Sequence, residues 1–200
     1  MAVDLDKERI AILVCHLQRD VIENEKTLGA VFGPEAAARK VVAQAGRLLD
    51  GARSAGAPCV LIRIAWRADR SNLLTNLPLL RMAAGLDALI EGNPGAEFVD
   101  DLPRRDSDIV LTHHRTNPFL GSDLHTILQA RDVDTVVLCG VATNMIVQAT
   151  AFAAADLGYR VVIVEDACAA GTPAAHTAAM ETLGLLADIA HTDDVASALS

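Results

Sequence analysis

The sequence predicts an α/β protein built on a parallel sheet, and three observations carry that expectation. Short, continuous apolar runs recur along the chain, each the length of a strand buried on both faces. Between them lie stretches with helical spacing, so strand and helix alternate from one end to the other. The composition is 52% hydrophobic, yet rings are scarce, with Phe 4, Trp 1 and Tyr 1. A core of close-packed Ala, Val, Leu and Ile is therefore expected.

The elements follow in order. Ile10–Cys15 (IAILVC) is the first strand. Residues 34–56 have helical spacing, with Val41, Ala45, Leu48 and Ala52 on one side and Gly56 where a helix stop is expected. Residues 59–65 form the second strand. The stretch 71–90 is less regular, broken by Pro78 and Gly85, and reads as a short helix plus an excursion. Residues 109–112 form a third strand, 122–131 a short helix and 135–139 a fourth strand. An Ala-rich helix over 143–157 ends at Gly158, followed by a fifth strand at 161–164, a helix at 173–186 and a weak sixth strand at 188–191. This repetition implies right-handed crossovers, with helices on both faces. No repeat, low-complexity tract or linker interrupts the chain, so one domain over 1–200 is expected.

Charge narrows the partners. Lys+Arg 17 against Asp+Glu 26 gives −9, with no basic run, which argues against nucleic acid or an anionic membrane. A charged fraction of only 22% excludes disorder. Cys15, Cys59 and Cys139 lie in or beside apolar runs and Cys168 follows another. Such cysteines read as small, reduced hydrophobes of a cytosolic protein. The segment 1–9 is charged and lacks an apolar signal core, and no apolar stretch reaches the ~20 residues that cross a bilayer. A soluble, cytoplasmic protein with a small-molecule partner is expected.

In such sheets ligands bind beyond the carboxyl ends of the strands. The residues there are His16, Trp66, His113 to Arg115, Gly140 to Thr143, and Asp166. Three of the six histidines fall in this small set.

At these same strand ends the sequence resembles the isochorismatase-like hydrolases, which include nicotinamidases and related cysteine amidohydrolases. The anchors are AILVCHLQRDV (11–21), VLTHHRTNPFLGSDL (110–124), LCGVATNMIVQAT (138–150) and LGYRVVIVEDACAA (157–170), and they span nearly the whole chain. The resemblance implies a three-layer α/β/α fold with a six-stranded parallel sheet in Rossmann-like order. It also implies an Asp after the first strand, a Lys after the third, and a Cys in the first turn of the helix after the fourth. A thiol at a helix N-terminus has a lowered pKa, the carboxylate takes its proton, and the ammonium orients the carboxylate.

This sequence departs at all three positions, with His16, His113 and Ile146 in their places. An isoleucine is no nucleophile, so the covalent thioester route is closed. The phenazine-type isochorismatases lack the cysteine too and use acid catalysis on a vinyl ether. A histidine, with an unperturbed pKa of about 6.5, suits acid or base work near neutrality. His16 and His113 are therefore the expected catalytic pair. The resemblance places a cis peptide between Val141 and Ala142, in a turn aimed at a substrate carbonyl. Thr143 belongs to that turn or is simply an N-cap. Trp66, Arg115, Phe119, Ala142, Thr143 and Ile146 are expected to bind substrate; Arg67 and Arg115 suit a carboxylate. Gln18 and Asp20 read as structural supports.

No metal or other cofactor is expected. Adjacent His113 and His114 diverge from a strand end, and where the nicotinamidase-like branch has Asp-x-His the chain reads Trp66-Arg67-Ala68-Asp69-Arg70, with only Asp69 as a ligand. Three readings remain: a cysteine-independent enzyme, a retired enzyme that binds a small ligand, and a structural subunit. The apolar stretch 73–90 is a core segment, a lid or the surface of a homo-oligomer.

Overall fold

The computed structural model describes residues 4–7 and 9–200. Six parallel strands form one sheet: β1 (Ile10–Cys15), β2 (Cys59–Ile64), β3 (Ile109–His113), β4 (Thr135–Val141), β5 (Arg160–Ala169) and β6 (Asp188–Ala190), in spatial order β3-β2-β1-β4-β5-β6. That is the doubly wound order, and the chain reverses direction across the sheet between β1 and β4. Both strands are wholly buried, as their uninterrupted apolar runs require. Helices α3 (Val41–Ser54) and α8 (Thr192–Leu199) pack on each other and on β5. Helices α6 (Gln148–Asp156) and α7 (Pro173–Leu183) do likewise, and the result is a three-layer α/β/α protein.

Several elements depart from the sequence reading. The helix expected over 34–56 is two: α2 (Gly29–Ala38) and α3, separated at Lys40, whose φ is 54°. Helix α2 begins before Pro34 because two glycines let it lie against α1 (Arg19–Ile22). A Cβ on Gly29 would stand 2.5 Å from the Asn24 carbonyl oxygen, and one on Gly33 2.6 Å from that of Ile22. Val41, Ala45, Leu48 and Ala52 do form the buried side of α3.

Strand β5 runs on past Val164, because the register shifts between Leu138 and Gly140 and re-pairs Gly140 with Cys168. Within 71–90 one helix forms, α4 (Pro78–Gly85), with Pro78 starting it and Gly85 ending it. Helix α5 (Leu124–Gln129) is shorter than expected. Helix α8 was not foreseen; the Asp194 carboxylate accepts the His191 N–H at 3.2 Å to begin it. The residues 143–147 expected to open α6 instead form a π-helical turn, Thr143–Val147.

Candidate functional site

The carboxyl ends of β1, β3 and β4 meet in one place. Strand β1 stops at Cys15, and His16 turns off it with φ 53°. Strand β3 ends in His113, and β2 lies between the two. Past the end of β2 the imidazoles reach each other, Nε2 to Nε2, at 2.7 Å, with ring centroids 4.9 Å apart and planes at 23°. His16 is buried and His113 wholly so.

Gln18 fixes the frame. Its amide nitrogen donates to the Ile64 and Ala96 carbonyls at 2.9 and 2.7 Å, while its oxygen accepts the Ile64 N–H at 2.9 Å. Asp20 accepts the Leu89 N–H at 2.8 Å and the Asn24 amide at 2.9 Å. Both are fully engaged in holding loops.

A nitrogen–nitrogen hydrogen bond needs one proton between the rings, so one imidazole donates and the other accepts. The pair is held uncharged. Burial, then the neighbouring His114, pushes His113 down to about 3. Burial, then His113, holds His16 well below the ordinary histidine range. The expectation of two imidazoles titrating near neutrality is therefore corrected: desolvation outweighs everything else here. His113 Nδ1 is buried without a hydrogen-bond partner. The outer nitrogen of His16, Nδ1, is left as the atom to exchange a proton with a ligand.

Beside His16 lies a narrow cavity of about 50 Å³. Of the residues expected to bind substrate, Trp66, Arg115, Ala142 and Ile146 line it. Three other expected residues do not. His113 stands behind His16 rather than on the wall. Thr143 is buried and turns its hydroxyl to His176 Nδ1 at 2.8 Å, toward α7. Phe119 stacks on Tyr159, with ring centroids 6.0 Å apart. Arg67 is exposed and off the wall as well.

The rest of the wall comes chiefly from Phe32 of α2 and Met145, which the sequence did not single out, and from Leu79, Leu80 and Ala83 of α4, within the apolar stretch 73–90. Leu79, Leu80 and Ala83 show a helical i, i+1, i+4 spacing that marks an inward face. Trp66 Nε1 is buried without a partner.

The peptide between Val141 and Ala142 is cis. Gly140 before it has φ 120°, and a Cβ there would stand 2.1 Å from the Cys15 carbonyl oxygen, so only glycine fits. Ile146 projects from the π-helical turn and is buried on the cavity wall. The residues at 66–70 do not fit a zinc ion: Asp69 is exposed and occupied by the Ser71 N–H at 2.9 Å. Among the described residues no three His, Cys, Asp or Glu side chains gather as metal ligands.

The isochorismatase domain model matches residues 10–194. The chain belongs to the isochorismatase family. It is 33% identical over 174 residues, 87% of either chain, to an uncharacterised family member of Escherichia coli O157:H7. A protein of Arabidopsis thaliana described as a probable inactive nicotinamidase is 32% identical over 84% of both chains. Among solved structures, an isochorismatase family protein from Burkholderia thailandensis superposes with a TM-score of 0.84 at 26% identity, covering 100% of this chain and 99% of that one. The N-carbamoylsarcosine amidase of Thermoplasma acidophilum gives 0.74 at 28%, covering 92% and 97%. The family fold thus surrounds a site with two histidines and an isoleucine at the positions identified from the sequence.

Proposed function

We propose that this family member is a hydrolase acting on a small molecule without covalent capture, with the His16–His113 pair handling the proton. The 2.7 Å contact between the two imidazoles, with His16 on the cavity wall, carries this reading. In the resting, uncharged pair one proton lies between the rings. Taking up another at His16 Nδ1 makes that atom a strong acid, because the buried cation is costly. Delivered to a vinyl ether or an imine-like group, that proton generates a cation that water attacks. His16 Nδ1 takes a proton back from the attacking water, which returns the pair to its protonated, active form, and the adduct collapses to the carbonyl product with loss of the alcohol or amine.

The assay is hydrolysis of 2-methoxypropene, read as acetone released above the buffer rate. The enzyme-dependent rate should rise about tenfold per pH unit from pH 7 toward pH 5, since the active cation becomes commoner below its neutral range. His16→Gln and His113→Gln should each cost about 10²- to 10⁴-fold, and the double variant much less than the product. Full activity in both single variants would overturn the assignment.

A second reading has its own observation. By the resemblance, Ile146 stands where the family has its cysteine, and its buried side chain lines the cavity. A retired enzyme that binds a small ligand would look the same there, and the Arabidopsis relative is described as inactive. Saturable binding with no turnover across small vinyl ethers, imines and amides would favour it.

A further inference from the structure

The cavity wall is apolar almost throughout, and its one charged side chain is Arg115. No aspartate or glutamate lies on it. The guanidinium is partly buried, donates to the His114 carbonyl at 3.3 Å, and enters no ion pair among the described residues. Arg63 is paired with Glu97 at 2.8 Å and Arg53 with Asp108 at 2.6 Å, while Arg39, which has no carboxylate either, spends its guanidinium on the Cys168 and Glu165 carbonyls at 2.7 and 2.9 Å, well away from the cavity wall. A guanidinium left without a carboxylate beside an apolar cavity offers a forked donor to a planar anion.

We propose that the cavity takes a short monocarboxylic acid with an apolar body, its carboxylate on Arg115 and its body against Trp66 and Ile146. This rests on the cavity being the functional site, and it names the class of molecule that enters. The neighbouring imidazoles are uncharged and do not compete for the anion. A second carboxylate on the ligand would be buried against leucines with no counter-ion, which disfavours dianions. At about 50 Å³ the space suits a body of a few carbons. The unpartnered Trp66 N–H offers a donor to any acceptor atom the body carries.

Trp66 is the single tryptophan of the chain, so its emission reports the cavity directly. The probes are crotonate, its neutral isostere crotonamide, and the dianion maleate, titrated at pH 7.5. Crotonate should bind saturably and at least about tenfold tighter than either of the others, the worth of one charge-assisted pair. Arg115→Met should bring crotonate down to the level of crotonamide, and Arg115→Lys should restore part of the preference. Arg67→Gln, on the exposed neighbour, should leave it intact. Melting temperatures of the variants show whether each is folded. If crotonamide binds as tightly as crotonate, the ligand class is wrong while the cavity stands. If maleate binds tightest, a second cation has been missed and the monoanion assignment falls. If no probe changes Trp66 emission, the cavity reading fails and this inference with it.

Discussion

Two buried polar centres sit at opposite ends of the same sheet, and they are built on opposite principles. At the amino end, Arg53 of α3 meets Asp108, the residue before β3, with side chains only 7% and 2% exposed. Its Nε and Nη2 donate to the two carboxylate oxygens at 3.1 and 2.6 Å. The Pro103 carbonyl accepts Nη2 as well, and the Arg105 N–H reaches Asp108 at 2.8 Å. The guanidinium and the carboxylate are both charged and both partnered. At the carboxyl end the His16–His113 pair is uncharged, and beside it His113 Nδ1 and Trp66 Nε1 have no partner. A satisfied polar cluster is what a fold needs in order to hold a loop. An unpartnered buried donor on a wall residue, as on Trp66, is what a ligand can complete, whereas His113 Nδ1 lies off that wall.

Breaking the amino-end centre should have the larger effect. Asp108→Ala leaves the buried guanidinium with only the exposed Asp50, 3.2 Å away, as counter-charge, at the lower end of about 3–5 kcal/mol of stability. Replacing both residues, as Arg53→Met with Asp108→Leu, should cost much less, because no charge is then stranded. Urea unfolding of the three variants measures this. Equal losses in the single and double variants would mean that the pair does not act as a unit.

Acid should distinguish the two centres next. Both imidazoles bind protons more weakly in the folded chain than in the unfolded one, where the value is about 6.5. The unfolded state therefore takes up protons first as pH falls. Stability contributed by the neutral pair is complete above about pH 6.5 and is lost progressively toward His113's own value of about 3. By pH 5 His113 should have removed about 2 kcal/mol, with His16 acting in the same direction. His113→Leu should cost only about 1 kcal/mol at pH 7.5, since it strands one neutral nitrogen and removes another that was already stranded. It should also flatten the loss between pH 7.5 and pH 5. An unchanged pH slope in that variant would show that the pair is solvated.

The same contrast explains what was legible in the sequence. Strands β1 and β4 were readable because a strand buried on both faces has to be a continuous apolar run, and His16 and His113 followed from the rule about strand ends. The helix boundaries at 34–56 were not, because Gly29 and Gly33 act through close contact with Asn24 and Ile22, which no local pattern shows. Thr143 looked like a site residue from its place in the turn, but the π-helical geometry swings its hydroxyl to His176. Phe119 was placed by resemblance alone, and its ring packs on Tyr159. The uncharged state of the histidine pair was hidden as well, since burial at the end of two different strands appears only once they are brought together.

The smallest expected effect concerns the thiols. All four cysteines are free and buried. Burial pushes Cys59 up to about 11 and Cys168 up to about 12, and also holds Cys15 and Cys139 well above the ordinary thiol range. Only the thiolate is nucleophilic, so native protein in iodoacetamide at pH 8 should gain no mass over an hour, while the urea-unfolded chain takes up four adducts. Crotonate binding, read at Trp66, should be unchanged by the treatment. Rapid loss of that binding together with one adduct would reveal a reactive thiol at the cavity and overturn the cysteine-independent assignment. Cys59 is the informative exception, because it starts β2 at the rim of the cleft formed by Arg53, Arg105 and Asp108. In Asp108→Ala that rim should open first, and Cys59 should then react ahead of Cys15, Cys139 and Cys168. Labelling all four together in that variant would mean that Arg53 and Asp108 hold the whole sheet closed and not merely the loop that leads into β3.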